Sequence, residues 1–575
     1  MVENAFKEFG KIRIDDGWFT HVKGIEVLTL GPDFRIHKKR VTQVWKRRAP
    51  DRLIKITTRT GRVIKTTPEH KYFVLFGGKV EEKRAEELHT GERIAVPRIL
   101  PEARSNTLIL IPTNFLWWND IYVDANTVAE HGRIWQAGYR PKSCIRIDAL
   151  DKTFLKFLIQ VHEFLKLKGK TTKKEKFMTF PTRIGKEMLE WLGLVIGDGH
   201  VSKDGISFTN TDKEMLQRFS RLSTILFGLE PKQIKNDKAP TVFIRSRTLS
   251  RLISRIFGIP IGYKARNVKL PGFIFELSNS SLRYLISAYF DCDASVVSKR
   301  IELSSASEEL VRQMQLLLLR FGIISNVKEK IVNGERYYRL LIYGSNLRKF
   351  YERIGFLNKF KQRKLEKIIS QNKYHYFAID LISGVGKDLE ALRKGLRIKP
   401  CEQRRRIGKD YWAYERDAYS QSRHWLEKIL SFYEEKLEEA KSLKKALTDN
   451  CSIDEIKEIA LRIFTDFDVK KEEFAKRYGI SVSTVNNFLR STYKKPRKAT
   501  IDKIKNGLAD VLEKIVAMRQ KLEELKMLIF SDILWDEITS IEYVEPEEEW
   551  VYDLTVEETH NFLANGMIAH NTSFL

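Results

Sequence analysis

The spacing of apolar and polar positions changes character several times along the chain. From the start to about residue 115, apolar residues alternate with polar ones or form short blocks between turn residues. Examples are Ile12-Arg13-Ile14, Ile25-Glu26-Val27-Leu28, Val41-Thr42-Gln43-Val44-Trp45 and Leu53-Ile54-Lys55-Ile56. This period predicts strands, with Thr60-Gly61-Arg62 as a turn before Val63-Ile64-Lys65-Thr66-Thr67. Residues 116–180 hold no single period and end in a basic run at 166–176, which predicts an exposed linker available to nucleic acid. Helical spacing then appears at Met188-Leu189, Leu192 and Val195-Ile196, and again at Leu282, Leu285-Ile286 and Tyr289-Phe290. Short strand-like stretches at 205–209 and 241–244 lie between. Residues 376–530 read as charged amphipathic helix, for example 425–443, and 531–575 return to strands. β ends around a helical middle predict one domain inserted into another, with the two ends pairing in space.

The end of the chain carries the most specific chemistry. Trp550-Val551-Tyr552-Asp553-Leu554-Thr555-Val556 leads to Glu557-Glu558-Thr559-His560-Asn561-Phe562-Leu563-Ala564-Asn565-Gly566 and then to Met567-Ile568-Ala569-His570-Asn571-Thr572. Apolar alternation predicts two strands about a turn at Asn565-Gly566. The Asn571 side-chain amide can attack its own main-chain carbonyl, close a succinimide and release the downstream segment. His570 is placed to donate a proton or hydrogen bond to that carbonyl or to the leaving group. Thr572 carries a hydroxyl nucleophile on the downstream side. This stretch resembles the C-terminal splicing motif of inteins. The resemblance implies assisting roles for Asp553 and His560. It also gives meaning to Thr67-Pro68-Glu69-His70: in inteins a Thr-x-x-His here helps break the upstream bond, with His70 protonating the departing amide nitrogen and Thr67 polarising the bond.

One part departs from the intein pattern. Inteins begin with Cys, Ser or, in some cases, Ala, whereas this sequence begins Met1-Val2-Glu3-Asn4. Met1 offers no nucleophile, so the sequence as written is expected to cleave after Asn571 without splicing in full; a truncated start that removed the nucleophile is the expectation, and a real loss of the first splicing step is the alternative. The final Thr572-Ser573-Phe574-Leu575 looks like the residues just after the lysine of a phosphate-binding loop, which suggests an NTPase host.

Two stretches in the middle repeat one design. Glu190-Trp191-Leu192-Gly193-Leu194-Val195-Ile196-Gly197-Asp198 and Leu285-Ile286-Ser287-Ala288-Tyr289-Phe290-Asp291-Cys292-Asp293 are apolar helices with small residues on one face and an acid at the end. Small residues four apart let two helices approach closely. A carboxylate at a helix C-terminus opposes the dipole, and two facing carboxylates repel. A divalent cation between Asp198 and Asp293 removes both costs, and hard oxygen ligands suit Mg²⁺. Residues of roughly 185 to 370 resemble LAGLIDADG homing endonucleases. The resemblance places the metal-binding acids on Asp198 and Asp293. It places the catalytic lysines on Lys269 and on Lys361, with Lys359 as a rival for the second.

A second DNA-binding element is predicted at 474–490. Ala475 and Gly479 would allow a helix and its turn, Ser481 would cap a second helix, and Ile480, Val485 and Leu489 would face inwards. Ser483, Thr484, Asn486, Asn487 and Arg490 would then face base edges or phosphates, followed by Lys494, Lys495 and Arg497 on the backbone.

Composition fits these readings. The 575 residues carry a net charge of +27, from 102 Lys and Arg against 75 Asp and Glu, which points to a polyanionic partner. The four cysteines form no C-x-x-C pair, which argues against a zinc cluster or a disulfide framework and fits a reducing compartment. No apolar run is long enough to span a bilayer, so a cytosolic protein without membrane contact is expected. The expected fold class is multidomain α+β. An all-β splicing domain of Hint type is built from 1–115 and 531–571. It is interrupted by the linker at 116–180, an α/β LAGLIDADG endonuclease with pseudo-two-fold symmetry at 181–375, and a helical region with a helix-turn-helix at 376–530; 572–575 remain from the host. The expected partners are long asymmetric double-stranded DNA and the host chain in cis, acted on by a monomer with Mg²⁺. The competing reading is an autoprocessing DNA-binding protein whose nuclease is inactive.

Overall fold

In the computed structural model the residues described are 2–103, 105–106, 108–109, 120–130, 144–169, 177–234, 239–371, 379–408, 411–418, 420–447, 450–490 and 497–571. They form two units, one joining Met1–Pro97 to Ala378–Leu575 and the other comprising Arg98–Phe377.

The first unit is organised by the strand Ile533–Val544, whose inward residues Ile533, Leu534, Trp535 and Ile538 are buried. Its first half pairs with Arg93–Pro97 and its second half with Leu53–Thr58, with a register shift between Ile538 and Ser540. An eight-stranded sheet results, running Asn561–Ala564, Met567–His570, Lys71–Phe76, Arg93–Pro97, Ile533–Val544, Leu53–Thr58 and Val63–Thr66, with Lys79–Arg84 on the side of Lys71–Phe76. A five-stranded sheet is built on Ile36–Arg48, against which Trp550–Val556 lies antiparallel with Asp553 opposite Trp45. Both sheets therefore mix strands from the two ends of the chain.

Asp536 sits wholly buried beneath the large sheet, takes the Thr60 amide at 3.3 Å and hydroxyl, and has the buried Arg62 guanidinium at 3.7 Å. Burial pushes its carboxyl up, opposed first by Arg62. An unforeseen helix, Val2–Phe9, packs Ala5 among Val22, Val41, Val44, Leu554 and Val556.

The helical stretch belongs to the same unit. Its longest members are Arg423–Ala446, Ile453–Asp466, Lys498–Val516 and Arg519–Ile529. Arg423 joins them to the strands. Its buried guanidinium pairs with Asp380 at 2.8 Å and caps carbonyls at the end of Arg519–Ile529, together with that of Ile533. A charge so deeply buried is tolerated because each N–H finds an acceptor.

The second unit is built twice over. The helix Lys186–Gly197 is followed by a sheet ordered Gly199–Val201, Gly205–Thr209, Thr241–Arg245, Lys232–Ile234. The helix Asn279–Asp293 is followed by a sheet ordered Ala294–Val297, Arg300–Ser305, Glu335–Tyr343, Asn326–Val332. Each repeat also carries further helices, Lys213–Phe227 and Arg247–Phe257 in one, Glu308–Arg320, Ser345–Arg353 and Lys359–Gln371 in the other. Residues expected to be a linker instead fold here. Cys144–Arg146, Ile121–Asp124, Phe164–Gly169 and Met178–Pro181 make a four-stranded sheet. Its Ile121, Leu165, Leu167 and Phe180 join one core with Trp191, Leu285 and Phe290. Part of the basic run at 166–176 lies outside the described residues.

Candidate functional site

Two sites are assembled, one in each unit. In the first, the C-terminal hairpin turns at Asn565 and Gly566 with φ of 47° and 78°. Both residues are left-handed, as a two-residue turn between twisted strands requires. The hairpin pairs Asn561 with His570 and docks Ala569 beside Tyr72. It leaves Asn571 buried, with its amide donating to the His560 carbonyl at 2.8 Å. His570 Nδ1 lies 2.9 Å from the Asn571 carbonyl oxygen, and its Nε2 faces Glu82 at 3.5 Å. That carbonyl belongs to the bond expected to break.

The turn Thr67–His70 closes by the His70 amide donating to the Thr67 carbonyl at 3.3 Å, and the His70 ring packs on Tyr72 and Phe562. Thr67, His70 and Asp553 line a cleft of about 710 Å³, whose wall includes Phe562 and Ala569. Burial lowers the His70 pKa; Asp553 and Glu69 oppose this, and His570 adds to it. The His560 side chain is exposed, its φ is +52°, and the residue meets Asn571 through its carbonyl. Thr572 lies outside the described residues.

In the second unit the two acid-bearing helices pack along their small residues. A Cβ on Gly193 would meet the Leu285 carbonyl oxygen at 2.5 Å, and one on Gly197 would meet Cys292 Cβ at 2.4 Å. Asp198 and Asp293 thus stand half-buried at the same end of one seam. Burial raises Asp293 to about 6, and the Asp198 charge adds to the rise.

Each helix end is capped by a lysine. Lys264 Nζ donates to the Val195, Ile196 and Gly197 carbonyls at 2.5–2.8 Å, and Lys361 Nζ donates to those of Asp291 and Ala294 at 2.5 and 2.6 Å. A cation is favourable there because the last carbonyls of a helix have no partners within it. Burial lowers Lys264 to about 8, opposed first by Asp293. Lys361 is lowered likewise by burial. Of the lysines expected from sequence, Lys361 makes such a cap and Lys269 is exposed; Lys264, not expected, holds the place equivalent to Lys361. Lys359, the rival, is exposed and faces Glu214 at 3.8 Å.

A line of polar groups that sequence reasoning missed links the repeats. Asn210 Nδ2 donates to Asp198 Oδ2 at 2.7 Å, and Asn210 Oδ1 accepts the Asp212 amide at 2.8 Å. Asn358 Nδ2 donates to Asp212 Oδ2 at 2.6 Å, while Asn358 Oδ1 accepts the Lys361 amide at 2.9 Å. Asp291 Oδ2 accepts the Leu357 and Asn358 amides, each at 3.0 Å. Burial raises the Asp291 carboxyl to about 7, although these amides pull it down.

In the predicted DNA-reading element, Lys471–Tyr478 and Val482–Leu489 are helices joined at Gly479, φ +64°. Ser481 caps the second helix through the Thr484 amide at 3.1 Å. Phe474, Ala475, Val485 and Phe488 are buried. Phe488 takes the inward place expected of Leu489, which is half-buried like Ile480. Ser483, Asn487, Arg490 and Arg497 are exposed and Thr484 and Asn486 half-exposed, Asn486 accepting from Lys471 at 3.2 Å. Lys494 and Lys495 lie outside the described residues.

A carbonyl gripped by a histidine at the end of a β unit made from both chain ends defines an autoprocessing element, here interrupted by a two-repeat α/β unit. The chain belongs to the intein family, whose splicing-domain model matches residues 11–571. Its fold class is α+β, an intein splicing fold interrupted by a two-repeat α/β unit. It is 27% identical over 646 residues to the replication factor C small subunit of Methanocaldococcus jannaschii, covering 100% of this chain and 29% of that protein. The first curated relatives extend well beyond the match, the chain spanning 29–61% of their length. Among solved structures, the PabCDC21-1 intein is 37% identical over 17% of this chain and 60% of its own, with a TM-score of 0.16. The homing endonuclease I-DmoI in complex with DNA and Mn is 16% identical over 29% of this chain and 96% of its own, with a TM-score of 0.25. No helix among the described residues is long and apolar enough to cross a membrane.

Proposed function

We propose that this chain is a self-excising intein that also acts as a Mg²⁺-dependent, site-specific double-strand DNA endonuclease, working as a monomer in the cytoplasm on its host chain in cis and on a long asymmetric DNA site. For self-processing, the observation that carries the reading is the 2.9 Å contact of His570 Nδ1 with the Asn571 carbonyl. The Asn571 side-chain nitrogen attacks that carbonyl carbon, forming the C–N bond of a succinimide and giving up one of its two protons to solvent. The bond to Thr572 breaks, and the departing nitrogen takes a proton, so that none is gained or lost overall. His570 supplies the hydrogen bond to the oxygen and the proton to the leaving amine. At the upstream bond, His70 and Thr67 face the same cleft as Asp553. Asn571→Ala is expected to abolish release of the downstream segment, read by mass spectrometry; continued release from this variant refutes the assignment.

For the nuclease, the matched placement of Asp198 and Asp293, each beside a lysine-capped helix end, carries the reading. Two half-buried carboxylates at one end of the seam form a hard-oxygen donor set that suits a small divalent cation. Main-chain oxygen, water and phosphate would suit the remaining positions about such an ion. When bound, Mg²⁺ would lower the pKa of attacking water and neutralise charge at the phosphate. Lys264 and Lys361 hold positive charge beside the acids, and the residues of the 483–490 helix extend contact along the duplex. Asp198→Asn with Asp293→Asn is expected to stop cutting of a duplex carrying the uninterrupted host-gene junction while binding persists. Cutting by the double variant refutes the site, and binding without cutting by the natural protein favours the inactive-nuclease reading.

A further inference from the structure

The two lysine-bearing loops repeat each other residue by residue. Gly258-Ile259-Pro260-Ile261-Gly262-Tyr263-Lys264-Ala265-Arg266 matches Gly355-Phe356-Leu357-Asn358-Lys359-Phe360-Lys361-Gln362-Arg363. Both begin with a left-handed glycine, at φ 67° and 73°, followed by a buried apolar residue, Ile259 or Phe356. In both, the lysine reaches the carbonyls at the end of an acid-bearing helix. In both, the residue just before that lysine is an aromatic standing in solvent, Tyr263 at 68% exposure and Phe360 at 76%.

A single exposed aromatic needs no explanation. These two are the most exposed of the large apolar side chains among the described residues. They occupy one register position in two repeats, and that position adjoins the cleavage machinery on both sides. Basic residues lie near both, Arg266 exposed three positions after Tyr263 and paired with Glu335, and Lys359, Arg363 and Lys364 exposed about Phe360, with Lys359 facing Glu214 at 3.8 Å. An apolar ring framed by cations suits a surface that is anionic outside and stacked within. Duplex DNA has that character, with phosphates to meet the lysines and arginines and base faces to meet the rings.

We propose that Tyr263 and Phe360 are a symmetric pair of wedges that press between base steps on either side of the cleavage centre, a role that rests on the nuclease reading above. Each ring unstacks one step and bends the duplex, which brings a phosphate of each strand towards its carboxylate. The wedges also give the protein a preference at positions read by no hydrogen bond. Pyrimidine–purine steps part most easily, so the centre of the target should favour them.

The test uses the full chain in Ca²⁺ and a duplex carrying the uninterrupted host junction, with 2-aminopurine at each central step in turn. The natural protein is expected to raise the fluorescence at two steps placed about the centre. Tyr263→Ala and Phe360→Ala should each remove the rise on one side and weaken binding about 5- to 100-fold. Tyr263→Phe and Phe360→Tyr should keep both, and all four variants should melt with the natural protein because these side chains support no core. Two results overturn the proposal: alanine variants that bind and unstack like the natural protein, or a natural protein that cuts in Mg²⁺ without any fluorescence rise. A natural protein that neither binds nor cuts the junction removes the nuclease reading, and the wedges with it.

Discussion

Replacing Gly197 by alanine puts a methyl group where Cys292 already stands. The new Cβ would lie 2.4 Å from Cys292 Cβ and 2.9 Å from its sulfur. Carbon atoms pack at about 3.5–4.0 Å, and a Cβ is fixed to its backbone, so the helices must part by roughly 1 Å. Overpacking of this kind costs about 1–3 kcal/mol. Alanine recovers less than the ~1 kcal/mol it gains over glycine in a helix interior, because Gly197 is the last residue of its helix. The melting temperature of this unit should fall by about 2–4 °C for each kcal/mol lost. The effect on cutting should be larger, because a shift of about 1 Å between reacting groups can cost ~100-fold in rate. Cys292→Gly removes both atoms in the way, so the double variant should regain most of the single-turnover rate and most of the stability. Gly193→Ala has no such remedy, since its Cβ meets the Leu285 carbonyl oxygen, a backbone atom no side-chain change removes. Scanning calorimetry and single-turnover cleavage of the four proteins would decide. A Gly197→Ala protein that melts and cuts like the natural one refutes the tight seam, and a double variant as poor as the two single changes added together refutes the exchange of volume.

Three further outcomes are expected from the geometry. His570→Ala should slow release after Asn571 by about 10²- to 10⁴-fold, the worth of a positioned proton donor, and a smaller change would mean that the 2.9 Å contact is incidental. His70 is held below its ordinary 6.5 by burial. The unfolded chain therefore binds a proton that the folded unit resists, so stability is lost as the pH falls below 6.5 and is constant above it, as far as this group is concerned. His70→Gln should accordingly show a smaller drop in melting temperature between about pH 8 and about pH 5 than the natural protein. Asn358→Leu removes the bond to Asp212 and the cap on the Lys361 amide, and should cost about 1–3 kcal/mol in urea unfolding together with a lower cleavage rate. An unchanged rate in a destabilised protein would show that the polar line is structural only.

Much of this was legible in the sequence, and the misses have physical causes. The acids Asp198 and Asp293 can be read because close helix packing demands small residues at fixed spacing, and that demand leaves a pattern. The Asn565–Gly566 turn can be read because few residues tolerate its dihedrals. The sheet at 121–181 is hidden because Phe164-Leu165-Lys166-Leu167-Lys168 alternates apolar with basic, and the charges suggest solvent although Leu165 and Leu167 are fully buried. Val2, Ala5 and Phe6 have helical spacing, but eight residues are too few to stand out among strands. Lys264, which caps the first helix end, lies outside a search for a lysine just before Leu270-Pro271; as the counterpart of Lys361 it would have emerged from aligning the two loops with each other. The Asn210–Asp212–Asn358 line is invisible because its members come from separate repeats and have no common spacing.

The pairing of Trp550–Val556 with Ile36–Arg48 also sets a clock. His570 and Asn571 are brought beside the cleft that holds Thr67 and His70 by a hairpin whose Ala569 pairs with Tyr72. That hairpin emerges from the ribosome some 500 residues after the strands that receive it. A nascent chain therefore cannot cut itself early, because the trigger is made after every other part of its unit. The inserted unit, complete in sequence before Ala378, has had time to fold by then, since domains generally fold as units in order of synthesis. Completion of the cleavage site is thus tied by topology to translation through the hairpin, and a messenger cut short of it yields a chain that lacks His570 and Asn571.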